Sequence, residues 1–402
     1  GELGIPRDDD RFYEVKDNNK GWIGHRLNFA IKETNLNSAF VELYGGQRYN
    51  GKNVVYSFSK GTKTSGGKPI EIAWEDRLDP NTIDMVADFK KIVVDLETDF
   101  EKKAQYTELY YKIRNLEYEG VNTDGDRDTL AKLKEEFKQL ATNRHEFISE
   151  YDAVIFMAHN LKNYTDHKFR VKGLIQLNEW KGKYYRKHII ESVEIVPEDY
   201  TNQLKATLDI FFCNNAIDES ALSEEKKIYI DGYLQDYDRN TKKDAFFPQM
   251  FVINTAKLDM DNENHIKLLN VLKQQFSVRG RNLHHLQWET NIYRGAERVQ
   301  ADEVELTSQQ QLLVDTGLAK AEDFAPKDGM FGENIDEIRL VKPLLRGIFD
   351  EGAVDTDLTE DDVFDLIVKT SEDVRLEDVV KKEDSPTKEV SNPEEDKIMD
   401  TM

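Results

Sequence analysis

Residues 168–196 read KFRVKGLIQLNEWKGKYYRKHIIESVEIV, and their alternation decides the fold class. Phe169, Val171, Ile175 and Leu177 share one face by period two, WKGK (180–183) supplies a tight turn, and YYRKHIIESVEIV returns, which is the pattern of an antiparallel hairpin. Downstream, QLKATLDIFF (203–212) alternates Leu204, Ala206, Leu208, Ile210 and Phe212. KKIYIDGYLQDY (226–237) and AFFPQMFVIN (245–254) form a second hairpin about DRNTKK. A short polar segment, IDESALSEEK (217–226), has room for one or two helical turns. Pro248 argues that the last of these strands is an edge or carries a bulge.

Five strands in this order, with a short helix between the third and fourth, match an oligonucleotide/oligosaccharide-binding (OB) barrel. A helix, HIKLLNVLKQQF (265–276), and a strand, LHHLQWETNIY (283–293), complete the region. Working outward, WIGHRLNFAIK (22–32), SAFVELYG (38–45), NVVYSFSK (53–60) and KPIEIAW (68–74) read as strands of a second β-rich unit. Residues 82–96 stay open between helix and strand. From Thr98 the period becomes helical, and after EGVNTDGD a second charged helix runs from Arg127 to Ala141, so 98–144 reads as a helical hairpin inserted between β units. Phe147, Tyr151, Val154 or Ile155, Ala158 and Leu161 mark a third helix, amphipathic enough to pack on a sheet.

The expected fold class is therefore α+β, mainly antiparallel β, with one or two OB-like barrels. Its expected parts are a β-rich unit at 1–97, the hairpin at 98–144, an OB-like barrel with flanking helices at 145–299, an acidic connecting segment at 300–350 and a disordered acidic tail at 351–402. The chain has 402 residues, and its 55 Lys and Arg against 78 Asp and Glu give a net charge of −23. Residues 351–402 carry −12 of that and residues 301–350 another −6, so the first 300 residues are nearly balanced. An Asp/Glu-rich end with abundant Ser, Thr and Pro cannot bury enough apolar surface to fold alone. A single cysteine, Cys213, excludes an internal disulfide, and eight scattered histidines offer no zinc array. No window is apolar enough for a membrane span and no signal-peptide layout opens the chain, so a cytoplasmic protein is expected.

Chemistry concentrates in the hairpin. Residues 161–190 carry eight basic side chains against Asp166 and Glu179. Single-stranded nucleic acid offers phosphates to neutralise and base faces to stack on, so its binders interleave Lys and Arg with aromatic rings. The candidate residues are Arg170, Lys172, Trp180, Lys181, Lys183, Tyr184, Tyr185, Arg186 and Lys187. Tyr233, Arg239, Lys242, Lys243 and Phe247 on the next hairpin, and Arg279 and Arg281 around Gly280, extend the set. Trp22, Arg26, Tyr44, Arg48, Tyr49 and Trp74 offer a second platform in the N-terminal unit, with core packing the simpler role for both tryptophans. Enzyme signatures are absent: the sequence has no P-loop, no GxGxxG opening a helix, no GxSxG, no HExxH and no kinase set. His284 and His285 are neighbours on a strand, so they point to opposite faces and cannot share a metal. Asp and Glu are too numerous for spacing to propose or exclude a two-metal nuclease. No cofactor is expected.

The succession KFRVKGLIQLNEWKGKYYRKHIIESVEIV, QLKATLDIFF and KKIYIDGYLQDYDRNTKKDAFFPQMFVIN resembles the OB-fold single-stranded DNA-binding proteins of tailed bacteriophages of Gram-positive hosts. The resemblance covers roughly residues 165–295, and more weakly 20–97. It implies a sequence-tolerant DNA-binding barrel and an acidic tail that contacts replication or recombination proteins. The chain departs from that pattern in ending EEDKIMDTM, without a terminal aromatic, and in the helical insertion. The alternative expectation is a phage structural or host-interaction protein that uses its barrel and helices for assembly. RNA as ligand and a homo-oligomeric state stay open.

Overall fold

The computed structural model describes residues 1–34, 37–121, 123–181, 183–298, 308–316 and 331–368. In chain order its strands begin with β1 (Glu2–Gly4), β2 (Tyr13–Asp17), β3 (Trp22–Lys32), β4 (Ser38–Arg48), β5 (Val54–Phe58), β6 (Pro69–Ala73), β7 (Ile92–Asp95) and β8 (Arg144–Phe147). They continue as β9 (Lys168–Trp180), β10 (Lys183–Val196), β11 (Lys205–Phe212), β12 (Ile217–Asp218), β13 (Lys227–Asp238), β14 (Lys243–Asn254), β15 (Asn282–Arg298), β16 (Phe331–Pro343) and β17 (Val354–Thr359). The helices are α1 (Asp9–Phe12), α2 (Pro80–Met85), α3 (Phe100–Glu119), α4 (Asp124–Gln139), α5 (Glu150–Asn160), α6 (Glu263–Gln274), α7 (Ser308–Asp315) and α8 (Glu360–Leu366). The class is α+β with mainly antiparallel strands, and two five-stranded sheets close on themselves as barrels.

The first barrel is the ring β1–β3–β4–β10–β9. Its neighbours are antiparallel except β4 and β10, which run parallel at Val41↔His188 and Glu42↔Ile189. The second is the ring β11–β13–β14–β16–β15, again antiparallel except for one pair, β14 and β16, at Phe251↔Ile338. Numbered along each chain segment, both barrels join their third and fifth strands in parallel and their first and fourth antiparallel. Both also place a core-plugging helix directly before the fourth strand, α5 in the first and α6 in the second.

Each helix plugs a core. Ala153, Val154 and Met157 of α5 pack on Leu27, Phe29, Leu43, Phe169 and Val193. That approach depends on Gly45, where a Cβ would come within 2.2 Å of the Tyr151 backbone nitrogen. Leu269 and Leu272 of α6 fill the other barrel with Ile210, Ile230, Phe251 and Ile338, while Phe276 stacks on the fully buried Trp288 at 5.0 Å.

This partnering differs from the expected one. The five strands read as one barrel at 167–255 are divided: β9 and β10 close the first barrel with the N-terminal strands, whereas β11, β13 and β14 open the second. Alternation reports which face of a strand is buried and is silent about its neighbour, so adjacency in sequence does not give adjacency in the sheet. Two further expectations change. The segment at 300–350 is no mere connector, since β16 is the closing strand of the second barrel. The expected disordered tail begins folded: β17 pairs with β15, α8 follows with a Thr359–Asp362 capping box, and Val363 is buried against Phe246 and Leu283. The rest of that expectation, 369–402, lies outside the described residues. IDESALSEEK forms the two-residue strand β12 and a turn instead of a helix, and 82–96 divides between the end of α2 and β7. Among the described residues no second strand faces β14 at Pro248, since β16 joins it only at Phe251 and Val252.

Between the third strand and the helix of the first barrel runs a long excursion, residues 49–149. It holds the β5–β6 ribbon and helices α3 and α4, whose Tyr106 and Phe137 rings lie 4.7 Å apart. Asp99 caps α3, and Gly120 ends it at φ +89°. An ion-pair network ties α3 to β7 and the turn before it through Lys103–Asp95 and Arg114–Asp88, with Arg144 of β8 also on Asp95. Inside it, burial first, with the Glu146 charge adding, pushes the Tyr106 hydroxyl up to about 12.

Candidate nucleic-acid interface

Ala39, Val41 and Leu43 of β4 point into the first core, so the alternate residues Phe40, Glu42 and Tyr44 must point out. Phe40 and Tyr44 are 48% and 53% exposed, large for aromatic rings on a regular strand. On β3, Arg26 lies opposite Tyr44, and the Trp22 indole donates to the Tyr44 hydroxyl at 3.1 Å. On the other side β10 presents Tyr185, 46% exposed, and Lys187. Glu42 is 9% exposed at the centre, accepting from Arg26 Nε at 3.1 Å and pairing with Lys187 Nζ at 2.8 Å. Burial alone would raise its pKa, but the bonds from Lys187 and Arg26 outweigh that and hold the carboxyl below the ordinary glutamate range. At the edge of this face Arg294, from β15, places its guanidinium 5.7 Å from the Phe40 ring.

The β9–β10 hairpin is split by its own pleat. Tyr185 and Lys187 join the exposed face, and Lys183 is exposed at the turn. Tyr184 and Arg186 turn towards the second barrel. The Tyr184 hydroxyl donates to the Val368 carbonyl and its ring meets Phe247 edge-on at 6.0 Å, so its expected stacking role gives way to packing. Arg186 is tied to Asp336 and Gln249, with only 14% of its side chain exposed, and burial lowers its pKa. It joins the barrels instead of meeting phosphate. Arg170 pairs with Glu194 at 2.6 Å beside the Tyr200 ring. Lys172 is exposed and carries no ion pair among the described residues. Lys181 takes the left-handed conformation, φ +53°, that the two-residue turn requires. Trp180 ends β9, and its side chain lies outside the described residues.

The secondary candidates do not converge on this face. Phe247 is 2% exposed in the second core, a correction to its expected stacking role, since β14 turns Phe247 inward and Phe246 outward. Tyr233 packs edge-on against Phe246. Arg239, Lys242 and Lys243 are exposed at the β13–β14 turn. Arg279 is exposed, while Arg281 pairs at 2.8 Å with Asp361 in the first turn of α8. Of the N-terminal platform, Trp22, Arg26 and Tyr44 belong to the β3–β4 face, whereas Trp74 lies under the Arg77 guanidinium at 4.1 Å, away from it. Arg48 and Tyr49 are exposed at the end of β4. Sequence reasoning missed Phe40 and Glu42. Their signal was present in SAFVELYG, whose outward set is Phe, Glu and Tyr.

His284 pairs with Asp355 and His285 with Asp209, on opposite sides of β15. No group of three or more His, Cys, Asp or Glu placed to hold a metal occurs among the described residues, and no helix there is long and apolar enough to cross a membrane. Comparison of the chain with protein-family models, with curated proteins and with solved structures finds no match.

Proposed function

We propose that the protein is a non-enzymatic, sequence-tolerant single-stranded DNA-binding protein built from two OB-type barrels. The connectivity supports the barrel type: five strands, third and fifth parallel, with a helix before the fourth. OB barrels bind oligonucleotides on the face of their second and third strands and on the loop between the fourth and fifth. In the first barrel those elements are β3, β4 and the 180–183 turn. The observation that carries the reading is the row of exposed rings Phe40, Tyr44 and Tyr185 beside Arg26 and Lys187. Rings stack bases without regard to sequence, cations neutralise phosphates, and duplex DNA, whose bases are already stacked, binds poorly. In this reading the protein acts in phage replication or recombination in the host cytoplasm, and the acidic C-terminal region docks partner proteins.

Mobility of a labelled poly-dT strand with and without the protein tests the proposal. With three to five cations in reach of phosphates, log K should fall with log salt at a slope of roughly −2 to −3.5. No binding at about 50 mM salt and micromolar protein refutes it. A second reading, protein–protein assembly, is favoured by the excursion at 49–149, which exposes Tyr56, Phe89, Met85 and Leu78. Sedimentation of the free protein distinguishes the two: a monomer that shifts poly-dT supports DNA binding, and an oligomer that leaves poly-dT unshifted supports assembly.

A further inference from the structure

A carboxylate at the centre of a surface meant for phosphates is a contradiction unless it has another task. Glu42 is nearly buried, yet its two oxygens reach opposite ways, Oε2 to Arg26 on β3 and Oε1 to Lys187 on β10. These strands flank β4 on its two sides. The long side chains of Arg and Lys otherwise sample many rotamers, and each loses conformational entropy when fixed. Glu42 meets that cost in the free protein. Phe40 and Tyr44 stand two residues to either side of Glu42, roughly 13–14 Å apart at about 3.4 Å per residue. The two cations are thereby anchored at the level of the strand midway between the rings.

We infer that Glu42 is a positioning residue for single-strand binding. It holds Arg26 and Lys187 on either side of β4, so that the backbone between a base on Phe40 and a base on Tyr44 meets cations already in place. This rests on the DNA-binding reading and adds to it a register: two stacked bases with their linking phosphates between. The free ends of both cations still have donors to offer, three N–H bonds on the ammonium and five on the guanidinium, of which Glu42 takes only part.

The inference is testable because it opposes simple electrostatics in sign. Glu42→Gln removes a negative charge from the face, so a carboxylate with no positioning task predicts tighter poly-dT binding and a steeper salt slope. Positioning predicts the reverse, a loss of five- to ten-fold with no steepening. Glu42→Asp keeps the charge but, one methylene shorter, cannot reach both cations. A loss of similar size is expected there, whereas a purely electrostatic carboxylate would leave binding unchanged. It also serves if the Gln variant fails to fold. The third arm places Glu42→Gln in a chain already carrying Arg26→Ala and Lys187→Ala, where the substitution should have no further effect. Tighter or equal binding by Glu42→Gln overturns the inference, and so does an undiminished loss in the double-alanine background, which would mean a general structural role. If the unaltered protein does not shift poly-dT, the functional reading fails and the inference falls with it, an outcome distinct from a wild type that binds and a Glu42→Gln variant that binds as well.

Discussion

The two barrels share a connectivity and differ in what covers them. In the first, the outward residues of the third strand, Phe40 and Tyr44, meet solvent beside cations. In the second, the outward Phe246 is 1% exposed, because Val363 of α8 lies on it with Leu283, while Phe211 and Tyr233 pack around them. The cover is acidic: α8 opens with Glu360, Asp361 and Asp362. Two sheets of one topology thus present an open aromatic face and a closed one. The closed face owes its state to a segment more than a hundred residues downstream of β14, and the barrel fold itself does not dictate it. Function therefore follows from what remains uncovered.

Breaking the cores should give the largest effects. Trp288→Ala is expected to cost about 3–5 kcal/mol, and Phe247→Ala a similar amount, because each empties a fully enclosed site in the second barrel. Urea unfolding followed by circular dichroism measures this. If the barrels are separate cooperative units, the first barrel's transition should persist while the second shifts. One transition moving as a whole would show that the seam, bridged by Arg186–Asp336 and by the Leu177 N–H bond to Asp236, couples them.

Stripping the open face should act on binding instead. Tyr44→Ala or Tyr185→Ala is expected to weaken poly-dT binding by about 1–3 kcal/mol wherever the ring stacks a base, with stability nearly unchanged. Tyr184→Ala should do the opposite, lowering the melting temperature without a specific binding loss. Equal behaviour of Tyr184 and Tyr185 would erase the division of the hairpin by its pleat.

Uncovering the closed face sharpens the comparison further. Truncation after Asp350 removes Val363 and Val368, and their lost burial should lower stability by about 1.5–3 kcal/mol each on the area scale, whereas truncation after Val368 should leave the melting temperature unchanged. Equal melting temperatures for both truncations would show that the 354–368 cover contributes nothing to the fold.

Acid tests both barrels at once. Glu42 in the first and Glu337 in the second, where burial raises the pKa but Lys227 and Arg339 outweigh it, both have folded pKa values below the ordinary one. Their contribution is therefore complete above the ordinary glutamate value and is lost as pH falls through it towards the folded value. Glu337→Gln should flatten the acid limb of a stability-versus-pH curve for the second barrel alone. The smallest effect is expected from Arg281→Ala, whose pair with Asp361 is largely exposed and is worth about 0.2–1 kcal/mol.

By itself the sequence determined the local alternation and its punctuation. Hairpins 168–196 and 226–254, the strands of 22–48, helices near 100–119, 150–160 and 263–274, and the basic–aromatic character of the first hairpin were all legible, because pleat and helix periods are properties of a few neighbouring residues. The seam between barrels was not legible. Phe169 and Leu208 alternate in the same way, yet one is buried with Leu27 and the other with Trp288. The roles of adjacent residues were equally hidden. Tyr184 and Tyr185 are chemically identical, and only the presence of the second barrel on one side of β10 made the first a packing residue and left the second exposed. Phe40 and Glu42 became a candidate site only when β3 set Arg26 on one side of β4 and β10 brought Lys187 to the other from far along the chain. Strand partnership is set by which apolar faces bury each other best over the whole chain, a sum that no local window contains, and so tertiary structure alone decided which rings and cations share a surface.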